Sequence, residues 1–455
     1  MGQEPCKLTA YESLRLMKEG RLKPTELIAS CFRQIKRHDH WIHAFAHYDE
    51  HFAMQLAIAL DTADKGGALY GVPIGVKDIY NTQHFPTEMG SPIWKGFTPG
   101  NDSRGVFSLK QEGAIVMGKT VTAEFAVHYP GPTVNPHDPE RTPGTSSSGS
   151  AAAVAASMVP IALGSQTAGS TIRPASYCGI YGFKPTFGII PRTGVLKTVD
   201  TLDHVTLFAR SIEDIALAFS VMRVKGPDYP YVHENLENVE KQESKKHWNI
   251  AFIKTHLWGN WEPYAKEAIV RYAEDIRLLP NYSVEEVKIP TLLQDAHTIH
   301  EIIYCKGISY YYKEEYSMNK DKLSDVFRKM IEKGMTYTKN DYVNALGNRK
   351  KMVDALDRLF EKYDAILTLS TAGIAKKGLY SVDTIDSCLI WTLCEVPSFN
   401  LPVFRGPENM PFGAQIIGRK YHDIKVLHLL EDLKKNRLIE DVPYVERIEN
   451  AGKLK

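Results

Sequence analysis

Cysteine is scarce: Cys6, Cys31, Cys178, Cys305, Cys388 and Cys394 are scattered over 455 residues, with no CxxC pair and no Cys/His spacing of a zinc site. That excludes a disulfide-stapled secreted scaffold and predicts reduced thiols in the cytoplasm. An excess of charge of one sign is also missing. Fifty-five basic residues against 54 acidic ones leave a net +1, so nothing global argues for nucleic acid or a membrane surface. No apolar run is long enough to span a bilayer. The amino terminus, MGQEPCKLTAYES, lacks an apolar export core and carries Cys6 where a myristoylation pattern requires Ser or Thr. Internal repeats, low-complexity tails and a GxSxG elbow are absent, and Ser317-x-x-Lys320 lies in a charged stretch without a KTG partner. What remains is a globular chain, 43% hydrophobic and 24% charged, long enough for a large core.

Against this background one stretch stands out, Gly144 to Gly179, read GTSSSGSAAAVAASMVPIALGSQTAGSTIRPASYCG. It begins with four hydroxyls (Thr145, Ser146, Ser147, Ser148), continues as a small-residue segment suited to a closely packed buried helix, and ends in a second Gly/Ser turn from Gly164 to Ser170. Such turns expose backbone N–H groups and position hydroxyls, the needs of a reaction passing through an oxyanion. A second feature is the strand-like GVPIGVKD (71–78), which places Lys77 at the end of an apolar run, where lysine is rarely buried without a reason. Pairing with Asp78 or snorkelling to water is the plain alternative for that lysine.

Two motifs invite misreading. GAIVMGKT (Gly113 to Thr120) fits the phosphate-loop pattern G-x-x-x-x-G-K-[ST], but its centre, Ala-Ile-Val-Met, reads as a strand rather than a loop of free N–H groups. His43, His47 and His51 fall at i, i+4, i+8, a metal spacing on a helix. Alternation of Ile42, Ala44 and Ala46 with His43, Phe45 and His47 predicts a short strand instead, and no carboxylate or Cys completes a ligand set.

Along the chain, Thr9 and Glu12 form a capping box for a helix ending near Gly20, and Pro24 opens a second helix. Helices are expected over 50–65, 102–112, 211–223, 263–279 and 423–433, with mainly helical structure from 291 to 362. Strands are expected over 114–117, 249–254, 284–289, 365–370 and 412–418. The polar segment 225–247 reads as a surface excursion.

Taken together, GVPIGVKD (71–78), GKTVTAEFA (118–126), PGPTVNPHDPERTPGTSSSGSAAAVAA (130–156) and GSQTAGSTIRPASYCGIYGFKPTFG (164–188) resemble the amidase signature family of Ser-cisSer-Lys hydrolases, as more weakly do VPSFNLPV (396–403) and PFGAQIIGR (411–419). The resemblance implies a single α/β domain over 1–455, a central mixed twisted sheet flanked by helices. Its parts are N-terminal helices (1–65), a signature core (66–223), a variable surface and helical region (224–363) and a C-terminal core return (364–455). By position, Ser170 matches the nucleophile, Ser146 the bridging serine whose peptide bond is cis in the family, and Lys77 the base. Backbone N–H groups of Thr167, Ala168, Gly169 and Ser170 match the oxyanion hole.

These roles make chemical sense. Lysine can be a base only if burial makes it neutral, and Val72, Ile74 and Val76 are candidates to supply that burial. Two positions depart from the family pattern: Gln166 replaces an acid, and Arg173 lies three residues after Ser170 instead of two. A changed local bracing is expected, since a lone buried arginine would be costly.

The activity implied is cofactor-independent, metal-free hydrolysis of a small-molecule amide through a seryl acyl-enzyme, with no membrane and no nucleic acid, and a homodimer left open. The alternatives are the glutamine-hydrolysing subunit of a tRNA-dependent amidotransferase, with protein and RNA partners; a P-loop nucleotide enzyme; and a silent binding protein, disfavoured because all three catalytic positions are intact.

Overall fold

The computed structural model describes residues 4–63, 66–225, 247–380 and 385–443. The expected surface excursion falls almost wholly outside them. Eleven strands are described: β1 (Phe45–Tyr48), β2 (Pro73–Lys77), β3 (Ile115–Thr120), β4 (Ile161–Gln166), β5 (Tyr181–Lys184), β6 (His204–Ala209), β7 (Trp248–Phe252), β8 (Tyr282–Glu286), β9 (Ala365–Leu369), β10 (Ser398–Arg405) and β11 (Pro411–Gly418). They form one sheet in the order β1-β3-β2-β4-β6-β5-β10-β11-β9-β7-β8. The sheet is mixed: β3, β2 and β4 run parallel, as do β9, β7 and β8, while β6, β5, β10 and β11 are joined antiparallel.

Local chemistry sets the flanking helices. Thr9 and Glu12 make the reciprocal capping box of the helix Ala10–Lys18, and Gly20, at φ 71°, follows its end. Pro24 opens the helix Pro24–Ile42, which His43 closes in the left-handed region. His43, His47 and His51 therefore sit on a cap, a strand and a separate helix. His47 faces Glu88 at 3.0 Å and His51 faces Gln55 at 2.9 Å. Among the described residues no group of three His, Cys, Asp or Glu is placed to hold a metal. β8 starts two residues earlier than its expected range because Tyr282 and Val284 alternate inward.

The phosphate-loop match dissolves into structure. Ile115–Thr120 is β3, every residue buried, and Lys119 is committed to Asp78 at 3.0 Å, to the carbonyls of Tyr80 and Pro86 and to Thr87 Oγ1. Its N–H groups pair within the sheet rather than wrapping an anion.

The parallel neighbours β2 and β4 position the site. Beside them lies the helix Ser148–Ala155, whose eight residues are all buried. Its small residues let backbones touch: a Cβ on Gly149 would lie 2.3 Å from the Ala44 carbonyl oxygen and 2.4 Å from Val121 N. In parallel sheets the crevice beyond the strands' carboxyl ends is where ligands bind. Lys77 ends β2, and the turn 167–170 leaves β4, at those ends.

Candidate active site

From residue 141 to residue 186, Ser170 alone is not buried. The other serines of this hydroxyl-rich stretch keep at most 6% of their surface. Ser170 is thus the most exposed of them, at the tip of the turn between β4 and the helix Ile172–Cys178.

Lys77, at the end of the neighbouring strand β2, has no exposed surface. Its Nζ is 2.7 Å from Ser146 Oγ, 3.0 Å from Ser147 Oγ and 2.8 Å from Ser165 Oγ. Three hydroxyls and no carboxylate surround it. Burial pushes its pKa well below the ordinary lysine value, and only the more distant Asp203 charge opposes that shift. The burial comes from a different source than expected. Strand alternation turns Ile74 and Val76 to the opposite face from Lys77, which is closed in by the hydroxyl run and β4.

Hydrogen-bond direction is constrained around this amine. Ser147 Oγ donates to Ser165 O at 3.2 Å, so toward Lys77 it accepts. Ser146 Oγ is 3.0 Å from the Ala126 carbonyl, held by a turn in which Phe125 and Ala126 both take positive φ. Ser146 itself has φ 76°, a conformation costing about 1 to 3 kcal/mol for a non-glycine residue. No peptide bond is cis among the described residues, so the cis linkage implied for Ser146 is not present; a trans bond with positive φ delivers its hydroxyl to Lys77.

The turn before Ser170 is braced through its carbonyls. His300 Nε2 donates to Thr167 O at 2.8 Å, and Thr392 Oγ1 donates to Ala168 O at 2.6 Å. In a trans peptide the N–H points opposite to the carbonyl, so the Ala168 and Gly169 N–H groups face away from these braces. Among the described residues, no protein acceptor takes the N–H of Ala168, Gly169 or Ser170. Burial lowers His300 to about 4, leaving it a neutral donor. Gly169 lies in a tight place: a Cβ there would meet Arg173 Nη2 at 3.0 Å and Cys388 Cβ at 3.2 Å, so these neighbours would have to give by a few tenths of an ångström.

The two departures have complementary explanations. Gln166 Oε1 accepts from Thr171 N and Ile172 N at 2.8 and 2.9 Å, and its Nε2 donates to Thr392 Oγ1. Arg173 finds its acid elsewhere, at Asp386, with Nε 2.8 Å from Oδ2. Both contacts brace the turn, and a neutral amide suffices at 166 because the arginine is paired from 213 residues away.

Of the three expected catalytic residues, the structure brings Lys77 and Ser146 into contact, while the Ser170 hydroxyl bonds to neither among the described residues. Sequence reasoning missed Ser147 and Ser165 as partners of Lys77, and Asp386, His300 and Thr392 as braces. The serines carried a signal, lying in the two hydroxyl clusters; the braces, His300 and Thr392 on helices and Asp386 just ahead of one, lie far along the chain and carried none.

A family model described as Amidase matches residues 26–427. This chain belongs to the amidase family. It is therefore an enzyme of the class that hydrolyses C–N bonds. Among curated relatives it is 28% identical to the A-type subunit of the Glutamyl-tRNA(Gln) amidotransferase of Saccharolobus solfataricus, over 92% of this chain and 95% of that protein. It is 30% identical to the protein of the same name from Staphylococcus aureus (strain Mu3), again over 92% and 95%. Among solved structures, a chain from a vestigial complex tied to the origins of an s-triazine catabolic enzyme superposes with a TM-score of 0.86 at 25% identity, covering 96% of this chain and 100% of that one. A solved structure described as that of an amidase superposes with a TM-score of 0.84 at 26% identity, covering 94% of this chain and 100% of that one. Among the described residues, no helix is long and apolar enough to cross a membrane.

Proposed function

We propose that the enzyme cleaves a carboxamide through an acyl-Ser170 intermediate, with Lys77 as base and Ser146 as relay. One observation supports this: a fully buried lysine touches only hydroxyls, and these belong to the hydroxyl-rich core stretch whose most exposed serine is Ser170. A neutral amine has two N–H donors and one lone pair. Ser147 and Ser165 offer two acceptors, and the lone pair takes the Ser146 proton once that hydroxyl turns from the Ala126 carbonyl, to which it donates at rest. Ser170 Oγ gives up its proton to Ser146 Oγ as it attacks the amide carbon. The Ala168 and Gly169 N–H groups supply the oxyanion's donors, and the proton returns through Ser146 to the departing nitrogen. Water then cleaves the acyl-enzyme by the same relay in reverse.

Names of the relatives favour glutamine as that amide, in a tRNA-dependent amidotransferase, over a free-standing amidase acting on some other small molecule. The chemistry at Ser170 is common to both. Ammonia release is the test: the purified chain is given glutamine and a panel of aliphatic and aryl amides, alone and co-expressed with candidate partner proteins. Glutamine hydrolysis that depends on partners supports the amidotransferase reading. Turnover of another amide by the chain alone, with glutamine inert in both settings, overturns it.

A further inference from the structure

Gln166 stands opposite His204 across the antiparallel ladder of β4 and β6, so the next rung sets Thr167 against Asp203. That pair is bonded: Thr167 Oγ1 donates to Asp203 Oδ1 at 2.8 Å. The other carboxylate oxygen accepts Thr198 N and Val199 N at 2.8 and 2.9 Å. One carboxylate therefore ties the Ser170 turn to the loop ahead of β6. Residues two apart along an extended backbone share a face. Ser165, which Lys77 touches, and Thr167, which Asp203 holds, thus bring the amine and the carboxylate to one face of β4. Asp78, although next to Lys77 in sequence, is turned toward Lys119 instead.

Asp203 also borders a cavity of about 790 Å³ beneath the segment 187–201, whose wall includes Ser165 and Thr167 but neither Ser146 nor Ser170. The carboxylate can exchange protons with that space, whereas Lys77 has no surface at all.

We propose that Asp203 is a positioning residue of the reaction: it fixes the oxyanion turn through Thr167, and its charge stabilises the Lys77 ammonium that forms as Ser170 is deprotonated. The inference rests on the reaction proposed above. A base whose only contacts are neutral hydroxyls gains a proton at high cost in a dry site, and a fixed carboxylate on the same face lowers that cost without quenching the base by direct pairing. The other groups facing Asp203 do not take this part. Arg192 bonds the Asp200 carbonyl, Tyr304 and Tyr312 are held neutral by burial, and His204 is neutral with Nδ1 at 2.6 Å from Leu202 O. Burial raises Asp203 itself to about 6, so it carries its charge above that pH.

The test is the pH profile of kcat/KM for the wild type, Asp203→Asn, Asp203→Glu, Thr167→Val and Lys77→Arg, with circular dichroism on each. Removing the negative charge favours the neutral amine, so in Asp203→Asn the rising limb should move to lower pH by about one unit. Thr167→Val keeps the charge and loses the tether; its rate should fall by about tenfold to a hundredfold with the limb in place. Asp203→Glu should likewise keep the limb. If Asp203→Asn leaves the midpoint unmoved while Lys77→Arg is inactive, Asp203 only braces the turn and this proposal falls alone. Substantial turnover by Lys77→Arg removes the underlying reaction instead. Should Asp203→Asn not fold, a one-unit drop of the limb in Thr167→Val or Asp203→Glu, both of which retain the charge, overturns the proposal.

Discussion

Lys77 and Lys119 sit side by side on β2 and β3, in a register that sets Val76 against Lys119 and Lys77 against Thr120. Both are buried without exposed surface. Their surroundings are opposite. Lys119 meets a carboxylate, two carbonyls and a hydroxyl, a cage for a cation that also neutralises Asp78. Lys77 meets three hydroxyls, which solvate an amine adequately and an ammonium poorly. Burial lowers the pKa of both, but the Asp78 charge and hydrogen bond oppose the shift at Lys119, while Lys77 has only the more remote Asp203. What a buried lysine faces, rather than burial alone, decides whether it is a structural cation or a base.

Arginine substitution should separate them most widely. A guanidinium cannot release its proton near neutral pH. Lys77→Arg is expected to lose roughly 10²- to 10⁴-fold in kcat/KM, the range for a proton-transfer partner, whereas a folded Lys119→Arg should stay within about tenfold of the wild type. Steady-state rates on any amide the enzyme turns over would check this. Equal losses in two folded variants would end the distinction.

Stability should run the other way. Lys77 has a folded-state pKa below its unfolded value, so its charge state costs stability at every pH below the unfolded pKa, most fully below the folded one. Lys77→Met removes that cost, and at pH 7 the variant should unfold in urea at no lower concentration than the wild type. Lys119→Met strands the buried Asp78 and should lose about 3 to 5 kcal/mol. The contrast would fail if Lys77→Met proved the less stable of the two.

The sequence made the element pattern legible wherever local chemistry decides it: the Thr9 capping box, Pro24 at a helix start, the Ala-Ile-Val-Met strand inside a phosphate-loop match. The proposed roles of Lys77, Ser146 and Ser170 rest on resemblance, because their spacing is carried by short motifs; the structure adds the contact of Lys77 with Ser146. Three features were not legible. The partners that brace the turn, His300, Asp386 and Thr392, come from segments more than a hundred residues away, and only the packed fold brings them near. The source of Lys77's burial was misassigned because strand alternation sends the apolar residues of GVPIGVKD to the other face. Similarly, the motif implied a cis bond at Ser146, yet positive φ values at Phe125, Ala126 and Ser146 deliver the hydroxyl through trans peptides.

The rate of acylation by a serine-directed phosphonate, followed by mass spectrometry across pH, tests the proposed pairing of Lys77 with Ser170 most directly. With the neutral amine as the proposed base and burial lowering its pKa, the rate should rise with pH along a limb centred below the ordinary lysine value of about 10.4, with one adduct, on Ser170. Ser170→Ala should take none, and Lys77→Arg should label slowly at every pH. An adduct on another residue, or wild-type labelling of a folded Lys77→Arg variant, would contradict the account.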